Sequence, residues 1–150
     1  MKALITTVFS LMLLIPGVNQ NKSEDTITIT VTIEGVRNSS GSIGIALHNE
    51  DSDSDFPEAE AFREESISLN SSGTVEFVFE NIPAGDYAVA VMHDENDNGD
   101  IDFNEYGMPI EGFGFSNDAM GDMGPPDFDQ AAFSAEKDTD ITVSLIYMGS

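Results

Sequence analysis

The chain has 150 residues, enough for one domain with a real core and too few for two comfortable ones. Its 28 acidic residues against 5 basic ones give a net charge of −23, which repels nucleic acid and anionic membrane surfaces and attracts cations. The absence of cysteine removes a disulfide framework, a thiolate metal site and a lipid-anchored cysteine, while 40 % hydrophobic residues with ten Phe exclude wholesale disorder.

Lys2 is followed by an apolar run from Ala3 to Ile15 and then by Pro16 and Gly17. That is the charge, apolar core and breaker order of a secretory signal, and the run is too short to span a bilayer. Residues 1–20 are therefore expected to be a signal peptide cleaved between Val18 and Asn21. Residues 21–150 are expected to form a single domain, secreted or periplasmic, without membrane insertion of the mature chain.

The mature chain reads as β structure. Ile27, Ile29, Val31 and Ile33 alternate with Thr26, Thr28, Thr30 and Thr32, the period of two that β-branched strands show. Asn38-Ser39-Ser40-Gly41 predicts a turn and Ser42 to His48 a second strand. Asn49 to Phe62 reads as an acidic, solvated loop with one helical turn at Pro57 to Phe62. Further strands are predicted at Glu64 to Leu69, around Val75, Phe77 and Phe79, at Asp86 to His93 and at Asp140 to Met148, with a short one near Ala131 to Ala135. About seven strands with short turns imply an all-β fold, an antiparallel Greek-key β-sandwich of the immunoglobulin-like kind.

His93 to Glu105 reads His-Asp-Glu-Asn-Asp-Asn-Gly-Asp-Ile-Asp-Phe-Asn-Glu, which satisfies the calcium-loop pattern D-x-[DN]-x-[DN]-G-x5-E at every fixed position. Ca²⁺ is a hard cation that takes six to eight oxygens, and side chains at alternate loop positions converge on one point. Asp94, Asn96 and Asn98 supply the first three ligands, and Gly99 permits the sharp turn. Asp100 offers its carbonyl, Asp102 acts directly or through water, and Glu105 closes the loop 94–105. A strand enters this loop, and Gly107 and Pro109 leave no room for an exit helix, so it is not an EF-hand.

From Tyr106 to Gln130 the chain has five Gly and three Pro and no regular period. This predicts a long Gly/Pro/Phe-rich loop folded over a sandwich edge with Phe113, Phe115 and Phe128 as anchors. The alternative is a ligand surface built on Tyr106, Phe113 and Phe115.

Three runs carry a family resemblance: Tyr87 to Asp102, Gly107 to Asn117 and Gly124-Pro125-Pro126-Asp127-Phe128. They resemble the exported bacterial family called DUF2141, a domain of unknown function, over nearly the whole mature chain. The resemblance implies an exported β-sandwich of uncharacterised role and offers no catalytic residue. It also implies that Asp94 to Gly99 is the characteristic half of the loop, with Glu105 less typical. The stretch Ile82 to Tyr87 is similar, over a shorter span, to prealbumin-like and carboxypeptidase-regulatory-like sandwiches.

No nucleophile, base and oxyanion donor stand together, so an enzyme is not expected. His93 shares parity with Val91 and is expected to end the core face and donate into the loop, with His48 ending its strand in the same way. A zinc or copper site would need His48 and His93 to meet with a carboxylate. The sequence thus points to a calcium-binding sandwich module with a binding or structural role, whose partner beyond Ca²⁺ is an envelope protein or a glycan. Two alternatives stand beside it: a carbohydrate- or protein-binding domain using residues 106–130, and a small hydrolase using acidic residues near the loop.

Overall fold

The computed structural model describes residues 25–149, so the expected signal peptide lies outside the described residues. Strand β1 (Thr26–Val36) buries Ile27, Ile29, Val31 and Ile33 and turns its threonines outward, as alternation requires. It is followed by β2 (Ser42–Asn49), β3 (Arg63–Ser68), β4 (Gly73–Pro83), β5 (Gly85–Asp94), β6 (Gly112–Phe115), a helical turn α1 (Phe128–Ala131), β7 (Phe133–Ala135) and β8 (Thr139–Ser144). One sheet has the order β4-β1-β8. The other has the order β3-β2-β5-β6, and β7 shares the edge of β5 with β6.

The two sheets form the expected all-β sandwich. Its core is built from the buried face of β1, from Ile43, Ile45 and Leu47 of β2, from Val89 and Val91 of β5, and from Val143 and Leu145. A second apolar cluster, Phe56, Ala88, Phe115, Phe128 and Ala131, lies apart from this core. Ala88 and Ala90 share its parity, which fits the expectation that β5 is covered on both faces.

Several local expectations are corrected. The sandwich is not purely antiparallel, because β8 runs parallel to β1 from Ile29 opposite Thr139 to Glu34 opposite Ser144. A parallel pair needs a long crossover, and here the chain between β1 and β8 builds the whole second sheet on the way. The last strand ends at Ser144, after which Ile146 bridges to Phe113 of the other sheet. The helical turn expected at Pro57 to Phe62 is instead a 3₁₀ turn at Glu50–Asp55, capped by the Asn49 side chain. The segment 106–130 is not an unstructured loop: it contains β6, a 3₁₀ turn at Ser116–Asp118 and the start of α1.

Strand β6 was hidden by its glycines. Gly112, Phe113, Gly114 and Phe115 do alternate, and the glycines take the face against which the chain end packs. A Cβ on Gly112 would lie 2.4 Å from the Tyr147 ring, and one on Gly114 would lie 2.7 Å from the Ser144 carbonyl oxygen. Only glycine fits there.

Gly41, between β1 and β2, makes a similar close approach to the end of β5. Its φ is +66°, and a Cβ would fall 1.9 Å from the carbonyl oxygen of Asp94. Gly41→Ala is expected to cost about 2–5 kcal/mol, from left-handed strain plus overpacking. Gly73→Ala, at φ +103° with open space around it, is expected to cost less. Urea unfolding of the two variants beside the parent checks this order.

Candidate functional site

The acidic loop leaves the end of β5, and the chain returns as β6 on the edge of the same strand. Asp94 is buried at the strand end, with 4 % of its surface exposed. Its Oδ1 accepts the N–H of Asn98 at 3.1 Å and its Oδ2 accepts that of Gly99 at 2.7 Å. These bonds wrap the chain around one carboxylate. Gly99 sits at φ +87° and Asp97 at φ +54°, the left-handed geometry such a tight wrap demands.

The next side chains repeat the pattern. Asn96 Oδ1 accepts the N–H of Asn98 at 3.0 Å, and Asn98 Oδ1 accepts that of Asp100 at 2.9 Å. The Asn96 amide donates to Asp102 Oδ2 at 2.6 Å, and the Asn98 amide donates to both Asp102 oxygens at 3.1–3.2 Å. Asp94, Asn96, Asn98 and Asp102 are therefore drawn into one linked cluster. It holds two carboxylates and two carboxamides, and among the described residues no three Asp, Glu or His side chains form a metal-holding group. All its side-chain acceptors are oxygen, the donor type that suits a hard cation.

Glu105 lies elsewhere. Asn104-Glu105-Tyr106-Gly107 is a tight turn, closed by Gly107 N–H on the Asn104 carbonyl at 2.9 Å. Asn104 Oδ1 also accepts from Tyr106 N and Met108 N, both at 3.0 Å. Phe103 bridges Pro109, so a small hairpin carries Glu105 at its exposed tip. Asp100 is likewise exposed.

The carboxylate that does reach the loop is Glu111, which no spacing rule singled out. It is 3 % exposed. Its Oε1 accepts the N–H of Glu95 at 2.8 Å, and its Oε2 accepts that of Asp102 at 3.0 Å. One side chain thus ties the loop's second residue to its ninth. In sequence its signal is only that it follows an apolar residue and precedes the Gly-Phe alternation, which places it at a strand start.

Glu95 is engaged by the 37–38 segment instead. Arg37 donates to it through Nε at 2.9 Å and through a second guanidinium nitrogen, and Asn38 donates to it too. The Arg37 guanidinium, with help from Asn38, holds the Glu95 carboxyl below the usual carboxylate range, and Glu95 raises Arg37 in turn. Arg37 also donates to the Ile110 carbonyl at 3.2 Å and lies 4.4 Å above the Tyr147 ring.

His93 does not donate into the loop, as the sequence implied. Its Nδ1 pairs with Tyr147 Oη at 2.7 Å and its Nε2 with the Ser40 carbonyl at 2.8 Å, which joins β5 to the 38–41 turn and to the chain end. His48 is opposite Ala88 and His93 opposite Ile43, so the two histidines stand five residues apart along the β2–β5 ladder and do not meet. Ser116 is fully buried, donating to the Ala131 carbonyl and accepting Val89 N–H at 2.9 Å, a structural arrangement.

Of the aromatic residues expected at a ligand surface, Phe115 is buried and Phe113 is half-buried against the second cluster. Tyr106 is 79 % exposed at the hairpin tip, beside exposed Phe103 and Met108. The structure does not bring Tyr106 together with the two phenylalanines into one open face.

A family model described as an uncharacterised protein conserved in bacteria, DUF2141, matches residues 31–143. No curated protein and no solved structure matches the chain. The match spans every strand from within β1 to within β8 and includes the whole acidic loop, Glu111 and β6. The chain belongs to the DUF2141 family.

Proposed function

We propose that this protein is an exported calcium-binding β-sandwich module with a non-catalytic binding or structural role. The observation that carries the reading is the wrap of the loop around Asp94, continued by Asn96 and Asn98 toward Asp102. The carboxamide oxygens already point into the loop and each keeps a second lone pair. A Ca²⁺ ion would take Asp94, Asn96, Asn98 and Asp102 through side-chain oxygens and Asp100 through its carbonyl. Asp102 would exchange its amide partners for the ion. Glu105 reaches the ion only if its hairpin turns, so the remaining positions fall to water or to that movement.

The buried ring of Phe115 and the half-buried ring of Phe113 favour this module over a glycan- or protein-binding face built on them. Export follows from the Lys2 and Ala3 to Ile15 pattern. Among the described residues no helix is long and apolar enough to cross a membrane. Mass spectrometry of protein from the native cell is expected to give a mature N-terminus near Gln20, and an intact Met1 on exported protein counts against it.

Calorimetry is expected to show one strong Ca²⁺ site preferred over Mg²⁺, whose small octahedral shell suits fewer protein oxygens. With calcium about a hundredfold above Kd, the melting temperature rises on the order of 5–10 °C. Asp94→Ala abolishes both responses. Equal affinity for the two ions refutes the assignment.

Glu111→Gln places an amide N–H₂ against a backbone N–H, leaving one of the two donors unmet. The expected effect is a loss of about 1–3 kcal/mol in stability and about tenfold in calcium affinity. Glu105→Gln is expected to change affinity by less than about threefold. Titration of both variants beside the parent tests this ranking, and the reverse order contradicts it.

A further inference from the structure

Outside the loop, a polar pocket of about 420 Å³ opens beside β2. Ala46 and His48 of β2 form one side, and Pro57 to Ala61 with Glu64 of β3 form the other. The Ser52 hydroxyl donates to the Glu60 carbonyl at 3.0 Å and ties this wall down. Three carboxylates, those of Glu58, Glu60 and Glu64, belong to the lining, and among the described residues no Lys or Arg does.

His48 is the anomaly. It is 1 % exposed, and among the described residues neither ring nitrogen has a hydrogen-bond partner. Phe56 packs edge-on against the ring at 5.0 Å. Burial disfavours the charged ring and pushes its pKa down, and a neutral imidazole has one donor and one acceptor. A buried polar group with both functions unmet is rare in folded proteins, and this one belongs to the lining of the pocket. The three carboxylates of the lining favour a cation over an anion. The carboxylates do not gather into a metal-holding group among the described residues, so a point ion fits poorly and an extended cation fits better.

We propose that this pocket binds a small organic cation with N–H donors, an alkylammonium or guanidinium group, which donates to the His48 ring and is neutralised by Glu58, Glu60 and Glu64. Neither the calcium loop nor its ion takes part. The group can come from a free amine or from a lysine or arginine side chain of a peptide.

Calorimetry on the full mature chain at constant ionic strength tests this with 1,4-diaminobutane, with Nα-acetyl-lysine amide, and with tetramethylammonium, which has the charge and no N–H. The expected result is one equivalent of diaminobutane bound, with tetramethylammonium at least about tenfold weaker. Glu60→Gln with Glu64→Gln, a pair of exposed changes that spares the fold, lowers affinity by about tenfold or more, as does His48→Phe. Asp94→Ala leaves it unchanged, which separates this site from the calcium site. Tighter binding of the lysine amide than of the diamine identifies a peptide side chain as the source, and the reverse identifies a free amine. Equal binding of tetramethylammonium, or binding retained in both variants, reduces the effect to attraction by an acidic surface and overturns the proposal. Zinc bound at His48 in place of the diamine also overturns it.

Discussion

A buried carboxylate at Glu111 holds two backbone N–H groups from opposite ends of an acidic loop, at 2.8 and 3.0 Å. Charge-assisted bonds of this kind are short and roughly twice as strong as neutral ones. They matter here because the loop carries Asp94, Glu95, Asp97, Asp100, Asp102 and Glu105 within twelve residues, and like charges a few ångströms apart repel strongly away from bulk water. Each carboxylate has a different fate. Asp94 and Glu111 are buried and satisfied by backbone N–H groups. Glu95 is paired with Arg37, while Asp97, Asp100 and Glu105 face solvent. Asp102 faces the amides of Asn96 and Asn98, where partners are neutral and exchangeable.

This arrangement makes the loop part of the sheet edge. The chain leaves β5 at Asp94 and comes back along the same strand, His93 opposite Gly112 and Ala90 opposite Phe115. Whatever fixes the loop therefore fixes where β6 starts. The chain end contributes from the other sheet: Ile146 exchanges backbone bonds with Phe113 at 2.8 and 3.0 Å, and Tyr147 bonds His93. Both glycines of β6 exist to admit that end of the chain. Loop, sheet edge and C-terminal segment form one mechanical unit at one end of the sandwich.

The parts of this fold that rest on local period were legible in the sequence. Thr and Ile alternate through β1 with no competing signal, and β5 announces two covered faces through Val89 and Val91 on one side and Ala88 and Ala90 on the other. The order of oxygen-bearing residues in the loop follows from alternation too, and Asp94 to Gly99 forms the expected tight wrap. What escaped depends on partners distant in sequence. Gly112 and Gly114 read as loop residues because the reason for them is Tyr147 and Ser144, some thirty residues on. Glu111 was invisible because its partners, Glu95 and Asp102, are set by the return of the chain rather than by spacing. Glu105 fits the pattern in sequence, yet Asn104 and Gly107 make a tight turn that carries it outward. The parallel placement of β8 beside β1 depends on the whole chain between them.

Under the proposed function, calcium, the Asp94 wrap and the β6 edge form one cooperative unit. Hydrogen exchange of the mature chain, with saturating calcium and with chelator, tests it most directly. The account predicts that calcium slows exchange at Asn98, Gly99 and Asp102 and along Gly112–Phe115, while the amides of β1 inside its sheet change little. Equal protection of the loop and of β6 in the two conditions, at calcium levels far above those needed for binding, would contradict it.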